Sequence, residues 1–188
     1  MNYDWKHEII DRMEMKLCEI SRREWILLLL GVDDGQPIVN EYTFHVIFYI
    51  YSFSPFDVKP LIATVFSKDI HNTIRELIND GIIERRYSYD AHGSKEVYSL
   101  SIIGKKTVEK LISRVKKSWV LINNIVIRKG ETILDELVSL KRTYNDRDPK
   151  TILKLLLNYI KSESSSINLR FEEDELRYLK KIAENIKV

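Results

Sequence analysis

Apolar residues recur along most of this chain at intervals of three and four, the spacing of one helix face. Ile9, Ile10, Met13, Leu17 and Ile20 predict an amphipathic helix over residues 3–20. Ser21 can cap a second helix, Arg22–Leu30, built on the apolar run WILLLL. The loop GVDDGQP follows, and Asn40 can cap a third helix, about Glu41–Phe53, that is apolar on most sides. SPFDVKP breaks the chain, and a short helical piece is expected around Leu61–Thr64. Ser67 then caps a helix over Lys68–Asp80. Its stripe is Ile70, Ile74, Leu77 and Ile78, and Gly81 suits the left-handed residue that ends a helix.

Past Gly81 the period changes to two. Ile82–Tyr89 and Lys95–Ser101 alternate as strands, and DAHGS joins them, with Gly93 able to take positive φ. Helical spacing resumes over Lys105–Ile122, through Val108, Leu111, Ile112, Val115 and Trp119. Asn123–Asn124 and Gly130 kink or break it, and a further helix covers Glu131–Arg142. Asp148 and Pro149 open a helix at Thr151–Ile160, KSESSS is the best linker, and the last helix is Glu172–Ile186. Three helices followed by a hairpin is the order of a winged helix-turn-helix. The expected fold class is therefore mainly α with a small β-hairpin: a winged helix-turn-helix core plus a C-terminal helical region. Residues 1–20 are the N-terminal helix, 21–104 the winged-helix domain, and 105–188 a helical region that dimerises or covers the core.

Composition narrows this only slightly. With 188 residues, 44% hydrophobic and 31% charged, the chain can bury a real core. Its net charge of +2 does not by itself indicate a polyanion partner. The distribution says more. Residues 61–130 hold 13 Lys+Arg against 7 Asp+Glu, whereas residues 1–60 hold 6 against 10. The basic excess falls on the hairpin and its flanking helices. Cys18 is the only cysteine, so no intramolecular disulfide or cysteine-based zinc site exists, and a reducing, cytoplasmic setting is expected. The first residues carry acids and do not read as a signal peptide. The apolar runs are far shorter than the roughly 18 residues that cross a bilayer, so no membrane partner is expected.

No catalytic constellation emerges. His7, His45, His71 and His92 are scattered without metal-ligand spacing, and His45 reads as a satisfied core residue. Phosphate-loop, nucleophile-elbow and metalloprotease motifs are absent. The carboxylates of FEEDELRY suit a helix start. No enzyme, cofactor or metal is expected.

The positive signal lies on Lys68–Asp80. Lys68, Asn72, Arg75 and Asn79 fall at i, i+4, i+7 and i+11, opposite the apolar stripe. Asn and Arg pair with adenine and guanine edges in the major groove, and Lys suits phosphate. Arg85 and Arg86 sit at the root of the hairpin, and Lys95 lies across its turn. Lys106 and Lys110 continue the basic character on the next helix. These nine residues are the candidate DNA contacts, with an ordinary solvated polar face as the alternative. Double-stranded DNA and a second copy of the chain are the expected partners. A protein partner is the rival.

The stretch FSKDIHNTIRELINDGIIERR…KEVYSLSIIGKK resembles winged-helix transcription regulators of the PadR and MarR kind. In that pattern a recognition helix ends in L…GLI, and Y-x-L-T-x-x-G leads from the wing into a dimerisation helix. Leu77, Gly81, Ile82, Ile83, Tyr98, Leu100, Ser101 and Gly104 are the counterparts. A longer, fainter similarity links DDGQPIVNEYTFHVIFYIYSF through GIIERR to the YwgA-like proteins, which are close to the SocA-like antitoxin domains. The first resemblance implies a DNA-binding, dimeric regulator. The second implies a docking module without DNA contact.

Overall fold

Six consecutive side chains, Trp25 to Leu30, are buried, so the helix that carries them has no solvent face along its middle. In the computed structural model, which describes residues 16–61, 64–90, 93–122, 126–148, 151–152, 154 and 177, this is helix α1 (Arg22–Gly31). Ser21 caps it reciprocally. Its hydroxyl accepts from the Glu24 amide at 3.3 Å, and the Glu24 carboxylate accepts from the Ser21 amide at 2.9 Å. Helix α2 (Glu41–Ile50) is buried from Thr43 onward. Helices α3 (Lys68–Asn79), α4 (Ile102–Lys116) and α5 (Gly130–Tyr144) pack around α1. Helix α5 contributes a fully buried cation to this packing. Lys141 Nζ donates to the carbonyls of Leu30 and Val32, at 2.9 Å each. These are acceptors that the end of α1 leaves without helical donors. Burial pushes the Lys141 ammonium down to about 8, opposed by the charge of Asp33.

Strands β5 (Ile83–Asp90) and β6 (Gly93–Leu100) form the expected hairpin, in register from Ile83 opposite Leu100 to Asp90 opposite Gly93. Gly81 ends α3 at φ +69° and Gly93 closes the turn at φ +118°, backbone that a side chain would strain. A short strand, β2 (Ile38–Val39), pairs antiparallel with β6, giving the order β2-β6-β5. A second sheet joins β1 (Leu17–Cys18), parallel, to β7 (Trp119–Ile122), and β7, antiparallel, to β8 (Val126–Lys129). The third sheet is the pair β3 (Lys59–Leu61) and β4 (Thr64–Phe66).

The molecule is therefore a mixed α and β fold, five helices with three small sheets among the described residues. It is richer in strand than the mainly α chain expected. Three segments differ from the sequence reading. The helix expected to reach Ile122 stops at Lys116, and Trp119–Ile122 is a strand. Val115, Trp119 and Ile122 satisfy helical spacing, but Val120 and Ile122, buried with Trp119 and Leu121 half-buried, alternate as a strand does. Leu61 and Thr64 belong to a β-pair, not a helical piece, a placement consistent with Pro60 and β-branched Thr64–Val65. Leu17–Cys18 is extended, anchored by the Trp119 amide donating to the Lys16 carbonyl at 2.8 Å. Residues 3–15 of the first expected helix, the KSESSS linker, the Glu172–Ile186 helix and most of Thr151–Ile160 lie outside the described residues.

One hydrophobic core runs through the described chain. Val108, Leu111 and Val115 of α4 and Ile133 and Leu137 of α5 share it with Trp25 and Phe44. Most of the apolar face of α4 and α5 is buried within the chain, while Ile112, Val138 and Leu140 are only partly covered. No helix among the described residues is long and apolar enough to cross a membrane.

Candidate nucleic-acid interface

Helix α3 divides cleanly. Ile70, Ile74 and Leu77 are fully buried, while Lys68, Asn72, Arg75 and Asn79 are exposed on the opposite side. Ser67 precedes the helix but does not cap it with its side chain. Its amide donates instead to His45 Nδ1 at 3.1 Å, which ties the start of α3 to α2. The acids of α3 are engaged on a flank shared with α1. Asp69 pairs with Arg22 at 2.7 Å, and Arg23 reaches both Asp80 at 2.5 Å and Glu76 at 3.6 Å. Exposed pairs of this kind stabilise little. Their electrostatic effect is larger, because they offset the negative charge that would oppose a polyanion on this helix. Lys68 and Arg75 form no ion pair among the described residues.

Where α3 meets the hairpin there is a cleft of about 320 Å³ lined by Glu41, His71, Arg75, Asn79 and Arg85. Its inner wall is a polar network. Glu41 Oε1 accepts from His71 Nδ1 at 2.6 Å and lies 3.5 Å from His45 Nε2. His45 Nδ1 already accepts the Ser67 amide, so the ring proton sits on Nε2, facing Glu41. The Tyr98 hydroxyl donates to Glu96 at 2.7 Å, with Glu41 3.2 Å away as a second acceptor. Burial alone would raise the Glu41 carboxyl. The hydrogen bonds of His45 and His71, with the charge of His71, outweigh it and hold the group at about 2. Burial, then the Glu96 hydrogen bond and the nearby carboxylates, push Tyr98 upward, so it stays a donor.

Strand alternation separates the hairpin cations. Arg85 lies on the face of Ile83 and Tyr98, toward the cleft, whereas Arg86 and Lys95 lie on the other face. Arg85 pairs with Glu96 at 3.7 Å, Arg86 with Glu84 at 2.5 Å, and Lys95 with Asp146 at 3.0 Å. Tyr87 and Tyr89 are exposed near the tip. Lys106 and Lys110 line a different groove, between α1 and α4. The structure thus brings Arg75, Asn79 and Arg85 together, keeps Lys68 and Asn72 on the same helix face, and places Arg86, Lys95, Lys106 and Lys110 elsewhere. His92 lies outside the described residues. Cys18 is half-buried beside Ser118, and burial pushes its thiol up.

The Glu41–His71–Tyr98 network and the Arg22 and Arg23 pairs were not foreseen. Glu41 and His45 stand at i, i+4, a spacing that signals contact on a helix. Nothing local to the sequence links either of them to His71 or Tyr98. Among the described residues no cluster of His, Cys, Asp and Glu is arranged to hold a metal ion.

No protein-family model matches the chain, and no curated protein or solved structure matches it at a significant level.

Proposed function

We propose that this protein binds double-stranded DNA as a winged-helix regulator, with α3 in the major groove and the β5–β6 hairpin as the wing. The observation that carries this reading is the exposed Lys68–Asn72–Arg75–Asn79 face, on a helix whose own acids are taken up by Arg22 and Arg23. Topology supports it. The order α1, β2, α2, α3, β5, β6 with strands arranged β2-β6-β5 is the order of a winged helix. The β3–β4 pair between α2 and α3 is an insertion in that plan. Arg75 and Asn79 read base edges, Arg85 meets phosphate from the cleft side, and Lys68 does so from the start of the helix. Asn72 is a second base reader. A homodimer bound to a two-fold site completes the proposal.

The second reading, a docking module without DNA contact, draws on the wing, where Arg85, Arg86 and Lys95 each face a carboxylate. Salt distinguishes the two. Duplex binding should weaken steeply as salt rises, because phosphate neutralisation releases counterions. Fluorescence anisotropy with random and selected duplexes, on wild type and on Arg75→Ala/Arg85→Ala/Arg86→Ala, tests this. Equal binding by the two proteins at low salt removes the DNA reading.

A further inference from the structure

Ile102 and Ile103 are 77% and 63% exposed at the first turn of α4, although both are large aliphatic side chains. The phase of the helix explains why they face outward. A Cβ built on Gly104 would lie 2.2 Å from the Ile82 carbonyl oxygen, so the backbones touch there and the glycine side of α4 is fixed inward. Ser101 holds the same turn, its hydroxyl accepting from the Gly104 amide at 3.0 Å. The isoleucines therefore point away from the core by construction.

Ile103 opens a groove of about 370 Å³ between α1 and α4. Leu27 and Leu111 supply its apolar floor, and Lys106, Lys110 and Arg114 line its basic side. Along α4 the lining positions 103, 106, 107, 110, 111 and 114 follow i, i+3, i+4, i+7, i+8 and i+11. That is one unbroken stripe of three turns, roughly 16 Å long. Glu24, the acid of the groove, is bound to Arg114 at 2.8 Å and to the Ser21 amide. Lys106 and Lys110 make no ion pair among the described residues. A groove three helical turns long, apolar at Leu27, Ile103 and Leu111 and flanked by lysines, matches the complement of an amphipathic helix whose polar face is acidic.

We propose that the α1–α4 groove docks an acidic amphipathic helix of a partner protein. Its aliphatic residues fill the slot over Leu27, Ile103 and Leu111, and its carboxylates meet Lys106 and Lys110. This moves Lys106 and Lys110 from DNA contact to partner contact. It does not depend on DNA binding by α3.

The test uses the full chain and two labelled sixteen-residue peptides. Both carry leucine at i, i+3, i+4 and i+7, one with glutamate and the other with lysine at the flanking positions. The expected result is binding of the glutamate peptide alone, weakened about tenfold or more by Ile103→Ser. Lys106→Glu/Lys110→Glu should switch the preference to the lysine peptide, while duplex DNA binding stays unchanged. All three substituted positions are exposed, so thermal unfolding should match wild type. Equal affinity for both peptides, or no effect of Ile103→Ser, overturns the proposal. Loss of DNA binding in the charge-reversed variant, with peptide binding intact, also overturns it. So does sedimentation in which Ile102→Ser/Ile103→Ser converts a dimer to a monomer, which would assign the groove to a second copy.

Discussion

Lys141 and Arg75 are both cations on amphipathic helices, each within a few residues of buried aliphatic side chains. Lys141 is fully buried and spends its ammonium on two carbonyls at the end of α1. Arg75 stands on the exposed face of α3 without an ion pair among the described residues. What separates them is the neighbour each meets. The end of α1 offers acceptors to which no other donor is seen among the described residues, and a buried amine there removes an unmet hydrogen-bonding demand. Nothing of that kind faces Arg75, so its charge remains available to a ligand. The same residue class thus serves stability in one place and, in the function proposed, recognition in the other. The difference can be broken experimentally.

The largest effect should come from Lys141→Met. Two buried carbonyls lose their donor, at about 1–3 kcal/mol each, partly offset by relief of a desolvated charge. A net loss of about 3 kcal/mol in urea denaturation is expected, with DNA affinity of the folded fraction unchanged. A variant as stable as wild type would show that water serves the end of α1 equally well.

Glu41→Gln tests the interior side of the comparison at the cleft. Because the Glu41 carboxyl is held at about 2, below its ordinary value of 4.5, its contribution is complete above about pH 4.5 and disappears as pH falls toward 2. At neutral pH the substitution should cost about 2 kcal/mol, well under the roughly 3.5 kcal/mol that the fall from 4.5 to about 2 converts to, because the part-exposed carboxylate is screened by solvent. Between pH 5 and 3 the wild type should lose more stability than the variant. Parallel acid limbs in urea titrations would refute this.

Arg75→Ala belongs to the exterior side. It should cost about 1–3 kcal/mol of binding at a preferred duplex and relax preference at one base pair. Stability should change by less than about 0.5 kcal/mol, as for an exposed site without structural partners. A clear fall in thermal stability would erase the contrast with Lys141. Arg86→Ala should do least. It lies on the hairpin face away from the cleft, so the salt slope and sequence preference of duplex binding should hardly change, and the pair with Glu84 should count for little in denaturation.

Local signals carried the parts of the fold that depend on local chemistry. Gly81 and Gly93 punctuate the hairpin because positive φ is a property of single positions. Ser21 with Glu24 marks the start of α1, and the α3 stripe separates the exposed face from the buried one. The features that were missed depend on distant partners. Trp119–Ile122 becomes a strand because Leu17–Cys18 and Val126–Lys129 flank it. Lys141 lies near a helix C-terminus, where a lysine ordinarily reads as solvated, and its acceptors are over a hundred residues earlier. The candidate site was legible along α3. It was not legible at the cleft, because the reach of Arg85 toward Glu41 and His71 depends on how the hairpin meets α2. Nor could spacing reveal that Lys106 and Lys110 line a separate groove.

The parallel pairing of Leu17–Cys18 with Trp119–Val120 bears on how the chain acquires its shape. Its two halves lie about a hundred residues apart in sequence, so closing this contact carries a loop entropy that nearer pairings avoid. On the ribosome, at about 5–20 residues per second, the first strand waits roughly 5–20 s for its neighbour to be made. The β5–β6 hairpin can zip as soon as it emerges. The sheet holding β1 should therefore be the last to order, and β1 should remain open to chaperones and proteases until β7 arrives.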